Sequence, residues 1–97
     1  MKAVMITYDQ AHHEAVVEIL THTNNRGYTA WPEVTGRGTS TGDPHLGSHA
    51  WPTTNAAIFT VVEDSRMPIL LEAIRELDER RPLLGIHAFA WTIDSYV

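Results

Sequence analysis

The sequence predicts an α+β fold of the ferredoxin-like kind, ordered β-α-β, long loop, β-α-β. Three observations carry this. Four apolar runs with strand character are joined in two pairs by amphipathic helical stretches. Cap and turn residues stand between them. One connection alone, Thr35 to Asn55, is long and shows neither strand nor helix periodicity. This split-βαβ order builds a four-stranded antiparallel sheet with both helices on one face. Residues 1–97 form a single domain, with the loop at about 35–55.

Lys2 to Tyr8 is the first strand. Val4, Ile6 and Tyr8 point one way and Ala3, Met5 and Thr7 the other. Both rows are largely apolar, which predicts burial on both sides. Asp9 is the expected N-cap of a helix over Gln10 to Thr23. Ala15, Val16, Ile19 and Leu20 make its buried stripe. Asn24-Asn25-Arg26-Gly27 stops it, with Gly27 expected in the left-handed conformation. Tyr28 to Val34 is the second strand, and Pro32 places it at a sheet edge or a bulge.

Beyond the loop, Ala56 to Val62 is the third strand. Asp64-Ser65 offers a cap and Pro68 fits the first turn of a second helix that runs to about Arg80. Leu70, Ala73, Ile74 and Leu77 form its core stripe. A connector, Arg81 to Gly85, leads into the last strand, Ile86 to Ile93, where His87, Phe89, Trp91 and Ile93 share a face. Trp31, Trp91 and Phe89 add apolar surface on the face away from the helices. Leaving that face open would expose a large patch, so several copies are expected to pack their sheets together.

Seven basic residues face twelve acidic ones, for a net charge of −5. That argues against nucleic acid as a partner, since such proteins normally carry a basic patch. No window approaches a membrane span, and the N-terminal residues lack the pattern of a signal peptide. There is no cysteine, hence no disulfide and no thiolate metal site. The expected setting is cytoplasmic, with no direct membrane insertion.

Three stretches resemble the PII signalling superfamily. Gly27-Tyr28-Thr29 through Glu33-Val34-Thr35-Gly36-Arg37-Gly38 is similar to the family's G-x-T…E-V-x-G-x-G entry into its T-loop. Ile58-Phe59-Thr60-Val61-Val62-Glu63-Asp64, with Leu71-Glu72-Ala73-Ile74, and Gly85 before the last strand continue the likeness. The resemblance implies a homotrimer. It also implies a small effector, an adenine nucleotide or another anion, held in clefts between subunits. The long loop would then signal to a target such as a transporter or enzyme, without catalysis. The chain departs from the pattern in two places. Ile86 stands where a lysine would follow the family's last B-loop glycine, and the loop has no tyrosine to carry a regulatory nucleotidyl group.

The effector-binding candidates are Thr29, Gly36, Arg37, Gly38, Thr39, Ser40, Arg80, Arg81, Gly85 and His87. Successive backbone N–H groups in a glycine-rich turn form an anion nest, and Arg37 and the hydroxyls add donors. A second reading uses the tip of the same loop. His45 and His49, four apart, with Asp43, supply three ligands for zinc or copper, as in metal-binding PII-like or CutA-like proteins. Leu46 and Trp51 are the expected partner contacts. His12 and His13 are expected to be solvated, and His87 partly buried in its strand. Ser40, Ser48, Ser65 and Ser95 have no nucleophile context.

Overall fold

The computed structural model describes residues 1–37, 42–48, 53–82 and 85–97. Four strands and two helices follow in the expected order: β1 (Lys2–Asp9), α1 (His13–His22), β2 (Thr29–Val34), β3 (Asn55–Val62), α2 (Met67–Arg80) and β4 (Ile86–Thr92). The strands form one antiparallel sheet, ordered β2-β3-β1-β4. This is the ferredoxin-like arrangement. β1 lies inside, between β3 and β4, and its Ile6 sits opposite Ile58 on one side and Ala88 on the other.

Alternation sorts the residues of β1. Val4, Ile6 and Tyr8 enter the core with Ala56, Ile58, Val62 and Ile86. The helices cover that face with Val16 and Leu20 from α1, and Leu70, Ile74 and Leu77 from α2. Each such aliphatic side chain contributes about 1.5–3 kcal/mol when fully buried. The polar Thr60 is tolerated there because its hydroxyl donates to the carbonyl of Gly27 at 2.6 Å.

The opposite face is open. Antiparallel pairing aligns Thr29, Phe59, Met5 and Phe89 in one row across the sheet, and Trp31, Ala57, Thr7 and His87 in the next. Trp31, Phe89 and Trp91 are 45%, 57% and 46% exposed. On β1 this face is only partly covered: Ala3 is buried, while Met5 and Thr7 are half-buried. β2 is an edge strand, and its register slips by one residue between Trp31 and Val34, around Pro32. Edge and bulge therefore coincide at the one residue that lacks a ladder donor.

Several local expectations change. The first helix begins as a 3-10 turn, Gln10–His12, whose cap Asp9 accepts from the Ala11 N–H at 2.8 Å. At its other end Asn24, not Gly27, is left-handed, with φ +61°. The Asn25 N–H reaches the Leu20 carbonyl and the Asn24 N–H reaches Thr21, at 2.8 and 3.1 Å. These are the two bonds of a Schellman closure. Neither Asp64 nor Ser65 caps α2. Its N-cap is Arg66, without a side-chain cap bond, and the Asp64 carboxylate instead meets the Met1 amino group at 2.9 Å.

Candidate functional site

The C-terminal ends of β1 and β2 and the N-terminal ends of β3 and β4 lie along one end of the sheet, because neighbouring strands are antiparallel. The start of the α1 segment and the end of α2 meet there too. The long loop leaves and returns at this end, and its described residues are not structureless. Gly36 pairs with His45 and Leu46 with Thr54 as isolated bridges. The Gly36 N–H donates to His45 at 2.9 Å and the His45 N–H returns to Gly36 at 2.6 Å. Gly47 turns the chain at φ +65° and bonds to Thr53 at 3.1 Å. The loop root is thus zipped by a short irregular ladder that hydrophobic periodicity does not reveal.

A polar cluster organises this root. The His45 ring is largely covered; its Nδ1 is bonded to Asn55 Oδ1, and its Nε2 faces Asp9 Oδ2 at 3.6 Å. Asp9 is buried. Its N–H donates to the Gly85 carbonyl at 3.3 Å. The Gln10 N–H donates to the Thr54 carbonyl at 3.0 Å, and the Thr54 hydroxyl donates to Gln10 Oε1, also at 3.0 Å. Asp9 and Asn55 do not stand out as site residues in the sequence. Both sit at strand ends, where short polar residues ordinarily serve turns, so only the register exposes their convergence.

The predicted effector residues divide. Arg37 is exposed at the loop root, Arg80 and Arg81 are exposed at the end of α2, and Gly85 enters β4 at φ +70°. Gly36, Arg37, Arg80, Arg81 and Gly85 therefore share one end of the sheet. Thr29 does not. It begins β2, opposite Phe59, five residues before Val34 and roughly 17 Å from the loop end at about 3.3 Å per residue. His87 is exposed on the open face, its ring stacked against Phe89 with centroids 6.3 Å apart. Gly38, Thr39 and Ser40 lie outside the described residues.

Of the three candidate metal ligands, His45 lies within the polar cluster. Its Nδ1 is bonded to Asn55, while its Nε2 stands 3.6 Å from Asp9, beyond hydrogen-bond distance. Asp43 is exposed, and His49 lies outside the described residues. Among the described residues, no three His, Asp or Glu side chains are grouped to hold an ion. Leu46 is 46% exposed, as a contact residue requires. Trp51 lies outside the described residues.

The two histidines expected in solvent are covered. His12 is 1% exposed, and its Nε2 has no hydrogen-bond partner among the described residues. Burial holds its pKa below the ordinary 6.5; Asp9 and Asp78 oppose that shift and Arg81 adds to it. His13 is half-buried, stacked on Tyr8, whose hydroxyl lies 2.6 Å from His13 Nδ1. Burial, with Tyr28 adding to it, raises the Tyr8 pKa, so the phenol keeps its proton.

The model of the nitrogen regulatory protein P-II family matches residues 1–85. The chain belongs to the P-II family. The match ends at Gly85, so β4 of this P-II chain lies beyond it. Solved structures show the same fold at low identity. CPII, a nitrogen regulatory PII-like protein from Thiomonas intermedia K12, was solved bound to ADP, AMP and bicarbonate. It is 22% identical with a TM-score of 0.75, over 93% of this chain and 82% of its own. Its apo form gives 17%, 0.66, 95% and 89% in the same order. A protein of Thermus thermophilus assigned as PII-like signaling gives 22%, 0.67, 93% and 83%. No curated protein matches the chain. Among the described residues no helix is long and apolar enough to cross a membrane.

Proposed function

We propose that this P-II chain is a cytoplasmic, homotrimeric regulator, not an enzyme. It binds a small anionic effector, ADP or AMP with or without bicarbonate, between subunits and signals through the 35–55 loop to a target protein such as a transporter or enzyme. One observation supports this above the others: Arg37 at the β2 edge, and Arg80, Arg81 and the left-handed Gly85 at the β4 edge, all lie along the same end of the sheet. The similar CPII structure holds ADP, AMP and bicarbonate.

The net charge of −5 does not prevent anion binding. Exposed charges beyond about 8–10 Å are screened at physiological salt, so the nearby arginines dominate. Thr29 lies too far from Gly36 for one small ligand to reach both within a chain. A neighbouring copy that lends its Thr29 end resolves this and covers the open face. Signalling then requires that the ligand bind one loop position more tightly than another.

Calorimetry with ADP, AMP and bicarbonate tests the proposal. Removing one charge-assisted contact costs about 1.5–3 kcal/mol, so Arg37→Ala or Arg81→Ala should weaken nucleotide binding roughly 10- to 100-fold. A wild type indifferent to all three ligands, or binding untouched by both substitutions, would overturn it.

A further inference from the structure

Asp9 touches two segments that approach it from different directions. Its backbone N–H holds the Gly85 carbonyl at 3.3 Å, and its carboxylate faces His45 at 3.6 Å. We propose that Asp9 is a positioning residue that acts through His45, so that displacement of Gly85 at the entry to β4 is transmitted to Gly36 and His45 at the root of the 35–55 loop. This deepens the proposed regulation, and rests on it only for the identity of the ligand.

The geometry supplies each link. Asp9 is buried, and a buried carboxylate requires compensation. Its Oδ1 takes the Ala11 N–H at 2.8 Å. Its Oδ2 has His45 Nε2 at a separation longer than a hydrogen bond. With Nδ1 bound to the Asn55 oxygen, this contact attracts when the ring carries a proton on Nε2 as well; it then grades smoothly with distance, so a small displacement of Asp9 alters it without breaking the helix cap. His45 carries the change onward by two routes. Its backbone is paired in both directions with Gly36, and its other ring nitrogen holds Asn55. Connector and loop root lie at opposite edges of the sheet, since β4 and β2 are its outer strands. The latch therefore spans the width of the domain.

A second strap makes the idea testable. Gln10 and Thr54 are joined by a backbone bond and a side-chain bond that involve neither Asp9 oxygen. Opening the latch therefore leaves the start of β3 held. The other titratable or charged groups at this corner are His12 from the 3-10 turn, on which Asp9 acts, with Asp78 and Arg81 at the end of α2.

The connector can be disturbed without filling space. Gly85 has φ +70°, and a Cβ there meets nothing within 4 Å. Gly85→Ala thus strains the backbone without a clash. Amide hydrogen exchange on the full chain reads the effect. Gly85→Ala should speed exchange at Gly36 and His45 by about tenfold, within the usual range for coupled sites. In an Asp9→Asn background, where the Ala11 cap is kept, Gly85→Ala should add almost nothing. The Ile6 amide is the control, and a merely structural loss would speed it as well. No change at Gly36 and His45, or an equal change in both backgrounds, overturns the latch. A second arm adds ADP. Slower exchange at Gly36 in wild type but not in Asp9→Asn extends the latch to the ligand. A wild type that binds no ADP defeats the nucleotide proposal and leaves the first arm decisive for the latch.

Discussion

Gly36 has no room for a side chain, because a Cβ there would lie 2.7 Å from Asn55 Nδ2. The obstacle is the end of a side chain, so Asn55 can yield, but only by leaving His45. Gly36→Ala should therefore cost one hydrogen bond, about 1 kcal/mol, or a fall in Tm of roughly 4–8 °C for a domain of this size. In an Asn55→Ala background the same change should cost much less; thermal unfolding of the four proteins decides, and full additivity would contradict the contact. His12 gives a pH signature. Its folded pKa is lowered by burial, so the unfolded chain takes the proton first as pH falls. The stability it contributes is complete above about 6.5 and is lost as pH falls toward the depressed value. Urea unfolding from pH 7.5 to 5 should show a steeper loss for wild type than for His12→Met. Equal slopes would mean that His12 is already charged in the fold.

At the scale of elements, stability is unevenly placed. Leu70 of α2 is fully buried, and Leu70→Ala should cost about 2–5 kcal/mol, much of the 5–15 kcal/mol typical of a whole domain. Asn24 closes α1 from a left-handed conformation that disfavours an ordinary L residue by about 1–2 kcal/mol. Asn24→Ala should thus lower stability by about 1 kcal/mol and Asn24→Gly should not; denaturant midpoints measure both. Every strand and both helices were legible in the sequence, because apolar periodicity fixes which residues face the core. What was not legible involved polar residues with several possible partners. Asn24 competed with Gly27 for the helix stop, and Asp64 offered a cap that was instead used by the Met1 amino group. The loop ladder was invisible because its pairs, Gly36 with His45 and Leu46 with Thr54, are set by hydrogen bonds and not by burial. Arg37 and Gly85 are proposed as site residues from a motif, whereas the convergence of Asp9 and Asn55 on His45 is visible only in the strand register.

For the whole molecule, the open sheet face is the surface on which the proposed trimer would assemble. Trp31, Phe89 and Trp91 expose apolar area that a lone domain of this size does not ordinarily leave in water. Light scattering should give about three times the 10.9 kDa chain mass at micromolar concentration. Phe89→Ser with Trp91→Ser should shift the protein toward the monomer without unfolding it, because neither residue belongs to the helix-side core. A monomeric wild type would refute the trimer.

That face also gives the protein an optical signal of its own. Two of its three indoles, Trp31 and Trp91, stand on it half in water, so their emission responds to whatever covers the sheet. The third, Trp51, belongs to the loop and is removed by Trp51→Phe. Fluorescence of that variant on dilution then reports association, and its difference from wild type reports the loop, from one unlabelled sample.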